Sequence, residues 1–209
     1  MNEATMKVAC IDLEGVLMPE LWPHLARQTG IEALAMTTRE EPDYRWLMRR
    51  RIAALRSHRL KLRDIQAIVA ALDPLPDAVE FLERIGDIWH VRILSDCFFE
   101  LAQTALERLG NPVALCHRLV TDSEGYVVEC AFAERRGKED IVQRLVGDKV
   151  EVLAVGDAHN DIAMLRLATH GFLLRPSEHT RLAAPDITVV ERLHEVLDAI
   201  GMPIAAVHA

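Results

Sequence analysis

Short apolar runs recur along the chain, several of them stopping at acidic residues, with helically spaced apolar positions between them. Val8-Ala9-Cys10-Ile11 runs into Asp12, Val91-Arg92-Ile93-Leu94 into Ser95-Asp96, and Val152-Leu153-Ala154-Val155 into Gly156-Asp157. Gly171-Phe172-Leu173-Leu174 and Ile187-Thr188-Val189-Val190 read as two further short strands. Between the strands, Val79, Leu82 and Ile85 keep the spacing of one helix face. So do Ala102, Ala105, Leu106 and Leu109, then Ile141, Val142, Leu145 and Val146, and finally Leu193, Val196, Leu197 and Ile200. This alternation predicts an α/β fold, a Rossmann-like parallel sheet with helices on both faces. Ligands of such sheets bind beyond the carboxyl ends of the strands. Three predicted ends carry polar groups there: Asp12 with Glu14, Ser95 with Asp96, and Asp157 with Asn160 and Asp161.

Two segments fall outside the alternation. Residues 18–73 read as a helical stretch inserted after the first strand, carrying Trp22, Tyr44, Trp46 and the run Arg49-Arg50-Arg51. They are expected to form a small cap over the strand ends, with Pro74 and Pro76 marking the return to a core of residues 1–17 and 74–209. Residues 117–132, with Ser123-Glu124-Gly125 as the turn, predict a β-hairpin.

A chain of 209 residues suffices for one substantial core with a small accessory domain. Its net charge of −8, without a basic stripe, argues against nucleic acid as a partner and leaves room for a cation site. Cysteines 10, 97, 116 and 130 form no Cys-x-x-Cys pair, which fits a reducing compartment. No apolar stretch approaches the roughly 20 residues of a membrane helix, and no extended apolar segment precedes the first strand. The expectation is a cytoplasmic protein that acts on small molecules away from membranes; its oligomeric state is left open.

Asp12-Leu13-Glu14 places two carboxylates at a strand end, able to face one site while Leu13 packs elsewhere. One carboxylate is suited to attack phosphorus and the other to move a proton. Alone, the pair reads equally well as a helix cap. Gly156-Asp157-Ala158-His159-Asn160-Asp161 adds two acids in the loop after another strand, where Gly156 permits a sharp turn. Magnesium takes one or two carboxylates together with water and substrate phosphate, and Asp12 and Asp157 can supply them. Asp161 reads also as an ordinary helix N-cap. Ser95 offers a hydroxyl, and the helix start after it offers N–H groups to an anion. Lys138 opens a helix after the hairpin.

Taken in order, these pieces resemble the haloacid dehalogenase superfamily of phosphohydrolases over essentially the whole chain. The resemblance implies that Asp12 is the nucleophile. Glu14 would be the acid/base, with its main-chain carbonyl helping to hold magnesium. Ser95 and Lys138 would hold the transferring phosphoryl group. Asp157 would be the direct metal ligand, supported by Asn160 and Asp161. Within the superfamily the short helical insertion resembles that of phosphoserine phosphatases, which implies that Glu20 and Arg51 bind the substrate's amino-acid end. A planar guanidinium suits a carboxylate because it donates two parallel hydrogen bonds. Arg49 and Arg50 read as a solvated helix face, and Trp22, Trp46 and Phe98 chiefly as packing.

Two features depart from that pattern: Glu14 stands where aspartate is usual, and Asp96-Cys97-Phe98 where Gly-Gly-Phe is usual. Both resemble a narrower group, the bifunctional phosphoserine phosphatase/homoserine phosphotransferases. So do Leu13-Glu14-Gly15-Val16-Leu17, Pro19-Glu20-Leu21-Trp22, Ile93-Leu94-Ser95-Asp96, Thr37-Thr38-Arg39 and Pro42-Asp43-Tyr44. The implied substrates are phosphoserine and homoserine, with Asp96 beside them. A phospho-aspartate signalling receiver is the competing class. Its phospho-acceptor does not follow the first strand, and it lacks both the insertion and an acid like Glu14.

Overall fold

The computed structural model describes residues 5–37, 41, 43–133 and 137–202. Seven strands form one sheet: β1 (Lys7–Ile11), β2 (His90–Phe98), β3 (Val113–Thr121), β4 (Val127–Ala131), β5 (Glu151–Gly156), β6 (His170–Leu174) and β7 (Thr188–Val190). Their order is β4-β3-β2-β1-β5-β6-β7. The β3–β4 pair is antiparallel, and all other neighbours are parallel. From central β1 the chain goes first to β2 on one side and later to β5 on the other, so the reversal of direction that opens a crevice lies at the end of β1.

Around the sheet lie α1 (Leu21–Thr29), α2 (Tyr44–Ser57), α3 (Leu62–Val69), α4 (Ala78–Gly86), α5 (Phe99–Arg108), α6 (Glu139–Gly147), α7 (Ile162–Leu167), α8 (Glu178–Ala183) and α9 (Leu193–Ala199). Alternate strand residues serve opposite faces. Ala9 and Ile11 of β1, Leu153 and Val155 of β5, and Phe172 and Leu174 of β6 pack with α4, α5 and α9. Val8, Cys10, Val152, Ala154 and Leu173 pack with α6 and α7 on the other face. Burial on both faces explains why these strands read as unbroken apolar runs.

Two strands extend beyond their sequence signatures. β3 begins at Val113, so its first half pairs in parallel with β2 while its second half forms the expected hairpin with β4. β2 continues past Leu94 through Ser95-Asp96-Cys97 to Phe98. In the register, Leu94 pairs with Leu115 and Phe98 with His117, so the residues between them bulge out of the ladder. Ser95 is therefore no helix cap, because α5 starts only at Phe99.

The helices after β1 build their own apolar cluster. Leu21, Trp22 and Leu25 of α1, Met48 and Leu55 of α2, and Ile65 and Val69 of α3 meet Ile31 and Leu34 between them. Phe98 of β2, Leu101 of α5, Leu119 of β3 and Val127 of β4 enter the same cluster, so the hairpin lends its apolar face to the inserted helices. The Asp43 carboxylate starts α2 by accepting the Trp46 N–H at 2.9 Å. Among the described residues, no helix is long and apolar enough to cross a membrane. Thr38, Arg39 and Pro42, part of the narrower resemblance, lie outside the described residues.

Candidate active site

The loop after β1 is fixed by its own main chain. Asp12 N–H donates to Val155 of β5 at 2.9 Å, carrying the ladder one residue beyond β1. Leu17 and Met18 both donate to Leu13 O, and Gly15 donates to Met18 O. Leu13, Val16, Leu17 and Met18 are fully buried, so this loop is anchored as firmly as a core strand. Gly15 has φ 79°, and a Cβ there would overlap the Asp157 carboxylate. Glycine is thus required on two counts, left-handed backbone and close approach. Gly156 is at an ordinary φ, and its missing side chain instead makes room for Asp161.

Asp12, Asp157 and Asp161 present carboxylate oxygens that all lie within 4.8 Å of one another. Lys138, at the start of α6, is 1% exposed and reaches Asp12 Oδ1 and Asp161 Oδ1 at 2.7 Å each. Asp161 Oδ2 accepts the N–H groups of Asp157 at 3.0 Å and Ala158 at 3.1 Å. Asp161 is thereby committed to holding Lys138 and the Asp157 loop in place. Asp12 Oδ1 accepts Leu13 N–H at 2.7 Å as well as Lys138, and neither of these contacts engages Oδ2.

One ammonium faces three carboxylates here, so negative charge is in excess. Burial, the largest influence, pushes the Asp12 carboxyl well above the ordinary range; Lys138 opposes this, while Asp161 and Asp157 add to it. Burial alone would lower the Lys138 ammonium, but Asp12, Asp161 and Asp96 outweigh it and hold it above the ordinary lysine value. A cluster of oxygen donors with surplus negative charge has the chemistry of a site for a hard divalent cation.

Glu14 stands beside this cluster and accepts Leu21 N–H at 2.7 Å, serving the first turn of α1 from outside the helix. Its pKa is pushed up to about 7, by burial first and by Glu20 second, against the Leu21 hydrogen bond and Arg51. Glu20 is exposed at the start of α1 without a capping side-chain bond. Arg51 of α2 is buried: Nη2 donates to Met36 O at 2.8 Å, Nη1 approaches Met48 Sδ, and its guanidinium lies 4.4 Å from the Trp22 ring. Its Nε is buried without a hydrogen-bond partner among the described residues. Burial lowers its pKa, against Tyr44, Glu14 and Glu20. Arg49 and Arg50 are exposed, as their solvated-face reading requires.

Ser95 is 1% exposed in the β2 bulge, where its Oγ accepts Cys97 N–H at 3.2 Å. Asp96 joins four segments. Its Oδ2 accepts from Asn160 Nδ2 at 3.0 Å, after β5. Its Oδ1 lies 3.7 Å from His117 Nε2 of β3, and its main-chain O accepts the Tyr44 hydroxyl of α2 at 2.8 Å. His117 Nδ1 accepts Ala133 N–H at 3.0 Å, which puts the neutral ring's proton on Nε2, facing Asp96. The structure thus gathers Asp12, Asp157, Asp161 and Lys138 into one cluster and ties Asp96 to Asn160, with His117 as an addition; the close contacts of Arg51 stay within the inserted segment, and Glu20 is exposed. Cys97 Sγ lies 3.7 Å from Cys116 Sγ, and neither sulfur is in a disulfide. The hydrogen bond with the Cys116 thiol, and then burial, push Cys97 upward, away from a nucleophile's range.

A family model described as haloacid dehalogenase-like hydrolase matches residues 6–169. A phosphoserine phosphatase of Pseudomonas syringae pv. tomato is 40% identical over 195 residues, covering 93% of this chain and 82% of that protein. Phosphoserine phosphatase ThrH of Pseudomonas aeruginosa is 40% identical over 191 residues, covering 91% and 93%. A structure of a phospho-aspartyl intermediate analogue of phosphoserine phosphatase superposes with a TM-score of 0.77 at 20% identity, covering 94% of this chain and 99% of that one. A substrate-bound phosphoserine phosphatase structure gives 0.74 at 20% identity, with the same coverage. The family match over residues 6–169, together with two relatives that are 40% identical over most of the chain, leads to one conclusion: the chain belongs to the haloacid dehalogenase-like hydrolases.

Proposed function

We propose that this protein is a magnesium-dependent phosphoserine phosphatase that also transfers the phosphoryl group to homoserine, working through an aspartyl-phosphate on Asp12. The observation that carries this reading is the buried cluster at the ends of β1 and β5. There Lys138 bridges Asp12 and Asp161 at 2.7 Å, with Glu14 two residues beyond Asp12. The two relatives that are 40% identical are named phosphoserine phosphatases, which supports phosphoserine as the donor.

In this reading Asp12 Oδ2 attacks phosphorus. The phosphorus–oxygen ester bond breaks as Glu14 gives its proton to the departing serine oxygen. A carboxyl titrating near 7 suits both that donation and the reverse step. Water or an alcohol then attacks phosphorus, Glu14 takes its proton, and the bond to Asp12 breaks. Ser95 and Lys138 hold the phosphoryl oxygens, and Asn160 and Asp96 border the acceptor. Asp12, Asp157 and the main-chain carbonyl of Glu14 would hold magnesium, with Asp161 steadying them. When bound, the ion supplies positive charge against the phosphoryl oxygens. Residues 18–73 serve as the cap over this chemistry, and the protein works in the cytoplasm on small molecules.

Arg51 and Glu20 read the carboxylate and ammonium of phosphoserine. Arg51→Ala is expected to lower kcat/KM for phosphoserine by about a hundredfold, the scale of a lost charge-assisted pair. An aryl phosphate such as p-nitrophenyl phosphate is expected to fall far less. Equal losses on the two substrates would make Arg51 a structural residue.

Acceptor choice is tested by supplying phosphoserine and magnesium, titrating homoserine, and measuring phosphohomoserine against free phosphate. Phosphohomoserine is expected to rise at the expense of phosphate, because a bound, oriented alcohol has a high effective concentration against water. Free phosphate alone at saturating homoserine would leave a phosphatase and remove the transferase part.

A further inference from the structure

Arg51 makes its close contacts within the inserted segment: Met36 O, Met48 Sδ and the Trp22 ring. Something must therefore register that segment on the strands that hold the phosphoryl chemistry. Tyr44 stands seven residues before Arg51 on α2. Seven residues bring a helix back to within about 20° of the same direction, with a rise of about 10 Å, so the two side chains leave one face.

The Tyr44 ring enters an aromatic box drawn from the core. Its centroid is 6.4 Å from Phe98 of β2, stacked at 19°, 6.2 Å from His117 of β3, and 5.9 Å from Phe132 just after β4. Arg45 closes the box with its guanidinium 4.3 Å from the Phe132 ring. The box fixes where α2 begins. Ring packing alone constrains the helix's rotation weakly, whereas a hydrogen bond is directional. The Tyr44 hydroxyl makes one, to Asp96 O at 2.8 Å, inside the bulge that also carries Ser95. At its other end α2 is tied to the hairpin turn by Arg56 and Asp122, at 2.7 Å, well away from the bulge.

We propose that Tyr44 is a positioning residue for substrate recognition: its hydroxyl fastens α2 to the β2 bulge and thereby sets where Arg51 stands relative to Ser95 and Asp12. The proposal rests on the reading of Arg51 as the group that meets the substrate carboxylate. It leaves the chemical step to Asp12 and Glu14 and assigns to Tyr44 the distance between the phosphoryl site and the carboxylate site.

The test is Tyr44→Phe, which keeps the ring and removes only the hydroxyl. Kinetics are measured with L-phosphoserine and with p-nitrophenyl phosphate, which has no carboxylate. For phosphoserine, KM is expected to rise about tenfold with kcat little changed, the scale of one lost hydrogen bond. The aryl phosphate is expected to respond much less. The ratio of the two kcat/KM values does not depend on how much of the variant folds, so partial misfolding cannot mimic the result. The double variant with Arg51→Ala decides the route of action: if Tyr44 works through Arg51, its effect on phosphoserine disappears in that background. Equal losses on both substrates, no loss on either, or full additivity with Arg51→Ala would each overturn the proposal. If Arg51→Ala itself falls equally on both substrates, the reading of Arg51 fails and this inference with it. If Arg51→Ala is selective while Tyr44→Phe is silent, only the inference about Tyr44 fails.

Discussion

Replacing Asp12 by Asn is expected to abolish release of phosphate from phosphoserine while leaving the protein folded. The substitution is isosteric. Asparagine Oδ1 can still accept from Leu13 N–H and from Lys138, the two contacts that Asp12 Oδ1 makes at 2.7 Å. Lys138 also keeps a carboxylate partner in Asp161. What disappears is the ability to form an acyl-phosphate, because an amide is not a nucleophile toward phosphorus at neutral pH. Turnover below about 1% of wild type is therefore expected, in line with the loss of a single essential catalytic group. Labelled phosphoserine should leave label on the acid-quenched wild-type chain, removable by hydroxylamine, and none on the variant. Activity above that level, or label retained on the variant, would move the nucleophile away from Asp12. Glu14→Gln provides the contrast. It should still accept label but release it slowly, because its amide cannot deliver or take the proton.

Much of this site could be read directly from the chain because the strands that carry it are short and doubly buried. An apolar run covered on both faces has to stop where polar groups begin, so Asp12 and Asp157 announce themselves at the ends of β1 and β5. Lys138 was visible only through its order among the motifs. Its burial follows from the two carboxylates that receive it, 126 residues before it for Asp12 and 23 after it for Asp161. The β2 bulge was hidden, since register is a property of two strands and the slip at Ser95-Asp96-Cys97 shows only against β3. The first half of β3 is silent in the sequence for a related reason: Val113–Cys116 is a short apolar run whose pairing with β2 gives it meaning. Tyr44 sits in a motif of the narrower resemblance, but nothing local gives it a role, and His117 carries no local signal. The hydroxyl of Tyr44 finds its acceptor 52 residues away, and His117 acquires its role from Asp96 and Ala133. Gly15 sits in a quoted motif, yet its need for positive φ beside Asp157 emerges only once β1 and β5 lie side by side.

Lys138→Met is expected to damage stability and activity together, and the pattern of rescue separates the two roles. The ammonium is 1% exposed between carboxylates that are themselves almost wholly buried. Methionine fills similar volume without charge, so the loss is electrostatic rather than a cavity. Removing one partner of a buried ion pair typically costs about 3–5 kcal/mol, because the charges left behind stay desolvated. For a chain of this size that corresponds to a fall in Tm on the order of 10 °C, measurable by thermal denaturation without added cation. Adding Asp12→Asn to Lys138→Met removes one of the stranded charges and is expected to return part of the lost Tm, although each change alone is harmful to catalysis. Activity is expected to stay lost in the double variant, since the proposed mechanism then lacks both its nucleophile and the lysine it assigns to the phosphoryl oxygens. A Lys138→Met protein as stable as wild type would mean that Asp12 and Asp161 are held apart by something other than the lysine. A double variant less stable than Lys138→Met alone would mean that the Asp12 charge is compensated elsewhere in the site.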